Sequence, residues 1–223
     1  MKQYNIDRKI KNNTNYPFWF SMLKEASEVV NLYELNSIVD FGCGSGGFTQ
    51  LISHFFNNLF ITGIEIDERL IAGCRKINKN RRISYISHKK MSSLPKVDLV
   101  FSQEVVYTQE SLLQHAKEIF EILHNGGHYI FTIGCHIENP TWAVRRNKIR
   151  SSERYPVFDY SLQDIADAFY EAGFRVMVKK LPMHAPMKYV PQQDGEFSSI
   201  SDMIRSSEEF KFLFIMLKPR FKS

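Results

Sequence analysis

Residues 38–47 read Ile-Val-Asp-Phe-Gly-Cys-Gly-Ser-Gly-Gly. An apolar run reaches Asp40, and glycines then follow at alternate positions, Gly42, Gly44 and Gly46. A strand that ends in such a loop and leads into a helix presents backbone N–H groups to a ligand without interference from side chains. The stretch therefore predicts a binding site at the end of a buried strand, with the Asp40 carboxylate at its mouth.

Two cofactor classes compete for this loop, because Gly42, Gly44 and Gly47 also spell the G-x-G-x-x-G of dinucleotide sites. Asp40 would repel a pyrophosphate, whereas it attracts the sulfonium and ammonium groups of S-adenosylmethionine. Glu65, at the end of the next predicted strand, can accept both hydroxyls of a ribose and serves either cofactor. The sign of the charge at Asp40 therefore favours S-adenosylmethionine over NAD.

The rest of the chain alternates strands with helices. The predicted strands cover residues 37–41, 59–66, 83–87, 97–102, 128–133, 174–181 and 209–217. The predicted helices cover residues 16–35, 48–56, 68–79, 109–123, 162–172 and 199–207. This alternation predicts an α/β fold: a doubly wound, mostly parallel seven-stranded sheet with helices on both faces. The linker 182–197 lacks a long helix, so we expect the last strand to run antiparallel, and we expect 134–160 to be irregular.

Size and composition fit a single domain over residues 1–223, with 43% hydrophobic and 24% charged residues. We divide it into an N-terminal helical cap (1–36), a cofactor-binding half (37–133) and an acceptor-side half (134–223). The aromatic cluster at 16–20 either packs the cap on the sheet or forms a lid. No apolar run approaches the ~20 residues of a membrane span, so no membrane partner is expected.

The cysteines and the net charge limit the partners and the compartment. The three cysteines lack metal-ligand spacing and cannot all pair, which predicts no metal site and a reduced, cytoplasmic compartment. A net charge of +5 permits anionic partners without requiring them. The sequence leaves the oligomeric state open.

Four segments together resemble one enzyme family. They are Val-Asp-Phe-Gly-Cys-Gly-Ser-Gly at 39–46, Gly-Ile-Glu-Ile-Asp at 63–67, Val-Asp-Leu-Val-Phe-Ser at 97–102 and Ile-Leu-His-Asn-Gly-Gly-His-Tyr-Ile at 122–130. In this order and spacing the chain is similar, from residue 37 to about 217, to class I (Rossmann-like) S-adenosylmethionine-dependent methyltransferases. The resemblance implies S-adenosyl-L-methionine as cofactor and S-adenosyl-L-homocysteine as product.

The resemblance also implies roles for individual residues at the cofactor. The glycine loop would hold the methionine part, Glu65 the ribose, Ile66 and Met91 the adenine, and two residues after the fourth strand would close the site near the methyl group. The full set is Asp40, Gly42, Cys43, Gly44, Gly46, Glu65, Ile66, Met91, Ser102 and Gln103. Lys90 stands where many relatives have an aspartate that accepts the adenine amino group, so that hydrogen bond must come from elsewhere.

Methyl transfer from a sulfonium is an in-line displacement that depends mostly on positioning the acceptor. A base is needed only where the acceptor must lose a proton. Glu104 and Tyr107 follow the fourth strand and His136 follows the fifth, which makes them the candidate catalytic groups. The chain lacks Asn/Asp-Pro-Pro-Tyr/Phe after the fourth strand, which disfavours a methylase of base amines.

The acceptor site is predicted in the arginine-rich stretch at 142–155 and in the late loop. The candidate residues are Trp142, Arg145, Arg146, Arg150, Tyr155 and His184. Guanidinium groups bind phosphate or carboxylate bidentately, so we expect methyl transfer to a small anionic metabolite, at oxygen. The stretch could equally be a solvated basic loop. An RNA methyltransferase would use the same arginines with Trp142 and Tyr155 for stacking, and a non-catalytic S-adenosylmethionine-binding subunit is the third alternative.

Overall fold

A computed structural model describes residues 8–152, 155–189, 197 and 199–220 of the chain. Seven strands form one sheet in the order β3-β2-β1-β4-β5-β7-β6. The strands are β1 (Ser37–Phe41), β2 (Phe60–Glu65), β3 (Ile83–Ser87), β4 (Val97–Gln103), β5 (Leu123–Ile133), β6 (Arg175–Lys180) and β7 (Phe212–Leu217). Strand β7 runs antiparallel to both of its neighbours, whereas the pairs among β1 to β5 are parallel. The predicted fold class and the reversed last strand are confirmed.

Helices cover both faces of the sheet. They are α1 (Arg8–Lys11), α2 (Tyr16–Ser27), α3 (Gly47–Phe55), α4 (Glu68–Ile77), α5 (Leu112–Ile122), α6 (Trp142–Ser151), α7 (Leu162–Glu171) and α8 (Ile200–Ile204). Short 3₁₀ segments lie at His88–Ser93 and Val106–Thr108, and a π-helical turn at Arg205–Glu209. Within the described ranges, no helix has the length and apolar character to cross a bilayer.

Two apolar layers hold these helices on the sheet. Neighbouring residues of β1 belong to different layers: Ile38 packs with the layer that contains α2 and α3, and Val39 with the layer that contains α5 and α7. Both side chains are almost completely buried. Side chains alternate along a strand, so Asp40 lies on the same face as α3, and its position there follows directly from the register of β1.

Three differences from the predicted elements are the largest. The first long helix ends at Ser27, not at residue 35. Strand β5 begins at Leu123, not at residue 128. The expected turn at 125–127 is part of this strand, and the Gly126 N–H donates to the carbonyl of Lys218, just after β7, at 2.9 Å. The stretch 134–160 contains helix α6, whose one buried side chain, Trp142, leaves no apolar periodicity to detect.

The directions of the strands bring several of their ends to one edge of the sheet. Strands β1, β2, β4 and β5 end at this edge, where ligands bind in open α/β sheets. Strand β7 begins there, because it runs in the opposite direction. Residues just after β1, β2, β4 and β5 and just before β7 therefore meet.

Candidate functional site

The glycine loop between β1 and α3 is folded tightly against β2. Gly42 has a φ of 76°, and a Cβ there would lie 2.4 Å from Val105 Cγ2. The N–H groups of Gly42 and Cys43 both donate to the Ile64 carbonyl, at 2.8 and 2.9 Å. These two N–H groups hold the loop on β2. Gly42 and Cys43 therefore line and shape the cleft with the rest of their backbone.

Asp40 lies beneath this loop and is 3% exposed. The Thr49 hydroxyl of α3 donates to its Oδ2 at 2.6 Å. Burial raises the pKa of Asp40 to about 7, against the opposing effect of the Thr49 hydrogen bond and with a further contribution from the charge of Glu65. No cation among the described side chains forms an ion pair with Asp40. The site therefore fits a ligand that brings positive charge to this carboxyl.

Glu65 ends β2 and joins the glycine loop to the next helix. Its Oε2 accepts from the Gly44 N–H at 2.9 Å, and its Oε1 accepts from the N–H groups of Ile66 at 2.8 Å and Asp67 at 3.2 Å. A carboxylate offers about four lone-pair directions, so these three contacts leave capacity for a hydroxyl. Ile66, 65% exposed, extends beside it as an apolar surface for a flat ring.

Two cavities meet at the glycine loop. The larger has a volume of about 450 Å³ and includes Asp40 in its lining. The smaller, of about 270 Å³, contains Glu65 and Ile66. Both are lined by Gly42, Gly44, Gln103, Glu104 and Tyr107. Together they form one cleft with Glu65 and Ile66 on one side and Asp40 on the other.

Glu104 stands at the junction of the two cavities. Its φ of 53° lies in the left-handed region, a strained conformation for a glutamate. Its Oε1 accepts from the Gly134 N–H at 2.7 Å and from Lys211 Nζ at 2.9 Å. Burial alone would raise the pKa of Glu104, but the charges of Lys211 and Arg145, together with hydrogen bonds from Lys211 and Cys135, hold that pKa below its ordinary value. The group is therefore a buried carboxylate anion facing the cleft.

Helix α6 brings one face of the basic stretch to the larger cavity. The lining residues follow helical spacing: Arg145, Lys148, Ile149 and Ser152. Arg146 and Arg150 lie elsewhere on the helix, where Arg146 Nη1 donates to Asp159 Oδ2 at 2.6 Å and Arg150 Nη2 donates to the Val157 carbonyl at 3.2 Å. The structure thus brings one of the three predicted arginines into the cleft.

A family model described as a methyltransferase domain matches residues 39–131, which contain the glycine loop, Asp40, Glu65 and Glu104. Residues 39–131 therefore form a methyltransferase domain, and the chain has the fold of class I S-adenosylmethionine-dependent methyltransferases. The cleft fits S-adenosyl-L-methionine as cofactor, by charge at Asp40 and by hydrogen-bonding capacity at Glu65. No curated protein matches the sequence.

Solved structures share the fold of this methyltransferase. The Haloferax volcanii protein in complex with the Trm112 methyltransferase activator is 19% identical with a TM-score of 0.73, covering 96% of this chain and 95% of that chain. An S-adenosylmethionine-dependent methyltransferase from Mesorhizobium loti is 17% identical (TM-score 0.65, coverage 94% and 99%). Geranyl diphosphate C-methyltransferase from Streptomyces coelicolor is 15% identical (TM-score 0.62, coverage 94% and 85%).

Several residues predicted from the sequence lie outside the cleft of the methyltransferase. His136 is fully buried, with Nδ1 2.9 Å from Glu138 Oε2 and Nε2 2.9 Å from the Phe210 carbonyl. His184 fastens the late loop to α2 through Glu25 Oε1 at 2.7 Å. These two histidines hold the fold together and line neither cavity.

The remaining predicted residues divide between the cleft and its support. Trp142 is 2% exposed and donates from Nε1 to Asp159 Oδ1 at 2.7 Å, outside both linings. Met91 and Ser102 are buried outside both linings as well. Tyr155 lines the smaller cavity, and Tyr107 lines both. Gly46 caps α3, and Arg154, part of the predicted basic stretch, lies outside the described residues.

Other cleft residues of the methyltransferase were not predicted. Lys211, 5% exposed at its side chain, enters the larger cavity from the start of β7. Asn13, Phe18 and Trp19 line it from the N-terminal cap, so the aromatic cluster both packs and covers the cleft. The aromatic run at 16–20 was the available signal for the cap, whereas the sequence around Lys211 gives none.

Proposed function

We propose that this methyltransferase acts on an oxygen of a small anionic metabolite, such as a phosphorylated or a nucleotide- or sugar-linked compound. The supporting observation is the charge of the larger cavity. Among the described residues its lining has three basic side chains, Arg145, Lys148 and Lys211. The acidic side chains in that lining are Asp40, which serves the cofactor, and Glu104. An anionic group is the ligand that this excess of positive charge favours.

The size of the cleft supports a small acceptor. About 450 Å³ falls in the range of small-molecule sites, and the methionine part of the cofactor also takes room beside Asp40. The RNA alternative needs exposed rings for stacking and basic groups for phosphates. Trp142 is buried, and Arg146 is paired with Asp159. These contacts favour the metabolite over RNA.

The chemistry requires alignment more than acid–base assistance. S-adenosylmethionine supplies a methyl group on a sulfonium; a bond from the acceptor oxygen to that carbon forms as the carbon–sulfur bond breaks. A hydroxyl acceptor must also give up its proton, and the Glu104 carboxylate is the group in the cleft placed to accept a hydrogen bond from it. Arg145 would orient the anionic part of the same molecule.

The test is a panel of acceptors offered with methyl-labelled S-adenosylmethionine, each phosphorylated compound being paired with its dephosphorylated form. We expect transfer to phosphorylated members, with kcat/KM at least about tenfold above the neutral partners. Arg145→Met should lower kcat/KM for them by about 10- to 100-fold, the effect of losing a charge-assisted hydrogen bond.

Arg82→Met is the matched control. The Arg145 guanidinium lies 6.0 Å from the centroid of the Phe197 ring, and the Arg82 guanidinium lies 5.0 Å from that of the Phe60 ring. Arg82 lies outside the cleft, so activity should stay at the wild-type level. Equal transfer to neutral and anionic partners would contradict the proposal. Salt-sensitive transfer to RNA would support the RNA alternative, and cofactor binding without transfer to any acceptor would support the non-catalytic one.

A further inference from the structure

The Glu104–Lys211 pair is an ion pair removed from water. Lys211 Nζ lies 2.9 Å from Glu104 Oε1, and the two side chains are 5% and 15% exposed. Lys211 Nζ also lies 4.0 Å from the centroid of the Phe18 ring, so the N-terminal cap covers this ammonium group. Removing two charges from water costs free energy that their attraction often fails to recover. A buried pair at the junction of two cavities therefore indicates a role other than stability.

The two oxygens of the Glu104 carboxylate differ in their hydrogen bonding. Oε1 accepts from two donors, Gly134 N–H and Lys211 Nζ, and these fix the orientation of the group. Oε2 is buried and accepts no hydrogen bond from an N–H or O–H group of the residues that the structure describes. An unsatisfied buried carboxylate oxygen is costly, and the strained backbone of Glu104 adds to that cost. Oε2 is thus the atom that remains for a ligand in the cleft.

The position of Lys211 is set by the reversed strand. Phe212, the next residue, pairs with Ile133 of β5, so Lys211 lies beside Gly134, whose N–H shares Glu104 Oε1. The Lys211 carbonyl accepts from the Leu181 N–H at 2.9 Å, which holds the backbone at this point. The pairing of β7 in the sheet therefore places the Lys211 ammonium group beside Glu104.

Other charged and titratable groups face Glu104 from the neighbouring elements. A Cβ on Gly134 would lie 3.5 Å from Glu104 Oε1 and 3.6 Å from Arg145 Nη1, so both groups border the same small space. The Cys135 thiol, after β5, hydrogen-bonds to the Glu104 carboxylate, and burial together with the Glu104 charge raises the pKa of this thiol. Lys148 and Asp40 line the same cavity.

We propose that Lys211 is a positioning residue that keeps Glu104 an oriented anion whose Oε2 faces the acceptor, so that the site selects acceptors with a proton on the nucleophilic atom. This inference rests on the proposed function and deepens it. The acceptor presents a hydroxyl to Glu104 Oε2 and an anionic group to Arg145 across the space above Gly134. On transfer, the hydroxyl oxygen forms its bond to the methyl carbon, the carbon–sulfur electron pair stays on sulfur, and the hydroxyl proton passes to Glu104 Oε2.

The experiment is a pH titration of the Glu104 carboxyl carbon by NMR, in the full chain with ¹³C-labelled glutamate, using Glu104→Gln to identify the signal. In the wild type we expect Glu104 to titrate below the ordinary glutamate value of 4.5. In Lys211→Met the midpoint should rise by about one pH unit or more, because an opposite charge within a few ångströms has an effect of that size. Lys211→Gln, which keeps a hydrogen-bond donor, should rise similarly, and Lys211→Arg should stay near the wild type.

Lys218→Met is the matched control. Lys218 is a second buried lysine beside β7, with Nζ 4.3 Å from the centroid of the Phe120 ring and hydrogen bonds to the carbonyls of Phe120 and Leu123. It should leave the Glu104 midpoint unchanged. Calorimetry with S-adenosylhomocysteine checks that each variant keeps the cofactor site. If Lys211→Met does not fold, the Glu104 midpoint is measured in Lys211→Gln instead.

The outcomes separate this inference from the proposed function. Equal Glu104 midpoints in the wild type and in the two neutral Lys211 variants would overturn the role of Lys211, whatever the acceptor panel shows. A raised midpoint with transfer to neutral acceptors would support the pair and contradict the anionic acceptor. With an acceptor from the panel, Lys211→Met should lower kcat at least about tenfold without raising the KM for S-adenosylmethionine, and an effect on that KM alone would count against a positioning role.

Discussion

Replacing Asp40 by asparagine should stabilise the cofactor-free enzyme at neutral pH while it weakens cofactor binding. Asp40 is buried, and its hydrogen bond from Thr49 can be kept by the amide oxygen of asparagine. The change therefore removes a buried charge and little else. Stability and function make opposite demands on this residue.

The magnitude follows from the pKa of Asp40, about 7 in the folded protein against 3.8 as its ordinary value. The folded state binds the proton more tightly, so the free energy of unfolding falls as the pH rises from about 4 to about 7 and is level above that. The full effect is worth about 4 kcal/mol at pH 8, and about 2.5 kcal/mol of it develops between pH 5 and pH 8. Residue 40 of Asp40→Asn does not titrate. The difference in free energy of unfolding between Asp40→Asn and the wild type should therefore grow by about 2.5 kcal/mol from pH 5 to pH 8.

Urea unfolding of both proteins without cofactor at pH 5 and pH 8 measures this difference, and the pH 5 pair controls for packing changes. Calorimetry with S-adenosylmethionine at pH 7 supplies the second arm. We expect about 10- to 100-fold weaker binding by Asp40→Asn, the effect of losing a charge-assisted contact.

An advantage of Asp40→Asn over the wild type that does not grow from pH 5 to pH 8 would contradict this prediction. That result would mean that the folded protein solvates the Asp40 carboxylate as well as water does. Unchanged S-adenosylmethionine binding would separately show that the cofactor does not use this charge.

Two further predictions concern the walls of the cleft. Glu65→Gln should weaken S-adenosylhomocysteine binding about tenfold or more in calorimetry, because the carboxylate is lost as an acceptor for ribose; full affinity would mean that Glu65 serves only the N–H groups of Gly44, Ile66 and Asp67. Gly47→Ala should lower the free energy of unfolding by about 1–3 kcal/mol in urea, because the added methyl would lie 2.5 Å from Trp19 Cη2; wild-type stability would show that the Trp19 ring can move aside.

The fold could be predicted from the sequence because its signals are local. The apolar run up to Asp40, the glycines after it and the carboxylate at Glu65 each report their own surroundings. Ser161 begins α7 with a capping box to Asp164, a pattern visible within four residues. The antiparallel last strand followed from a linker without a helix, and the pairing of β7 with β5 confirms it.

The acceptor side could not be predicted because it depends on which way side chains point. With 134–160 taken as irregular, Arg145, Arg146 and Arg150 were equivalent. Once α6 is known, Arg145 falls on the face that lines the cavity and the other two fall on the side of Asp159. Lys211 was beyond prediction for a different reason, since its burial comes from a tertiary contact with Glu104 and Phe18.

The reversal of β7 has a consequence for how the enzyme is made. A ribosome adds the glycine loop and Glu65 early, and it adds Lys211 only after every other strand of the sheet. We therefore expect a nascent chain to acquire the parts that hold the cofactor well before it can complete the pocket for the molecule to be methylated.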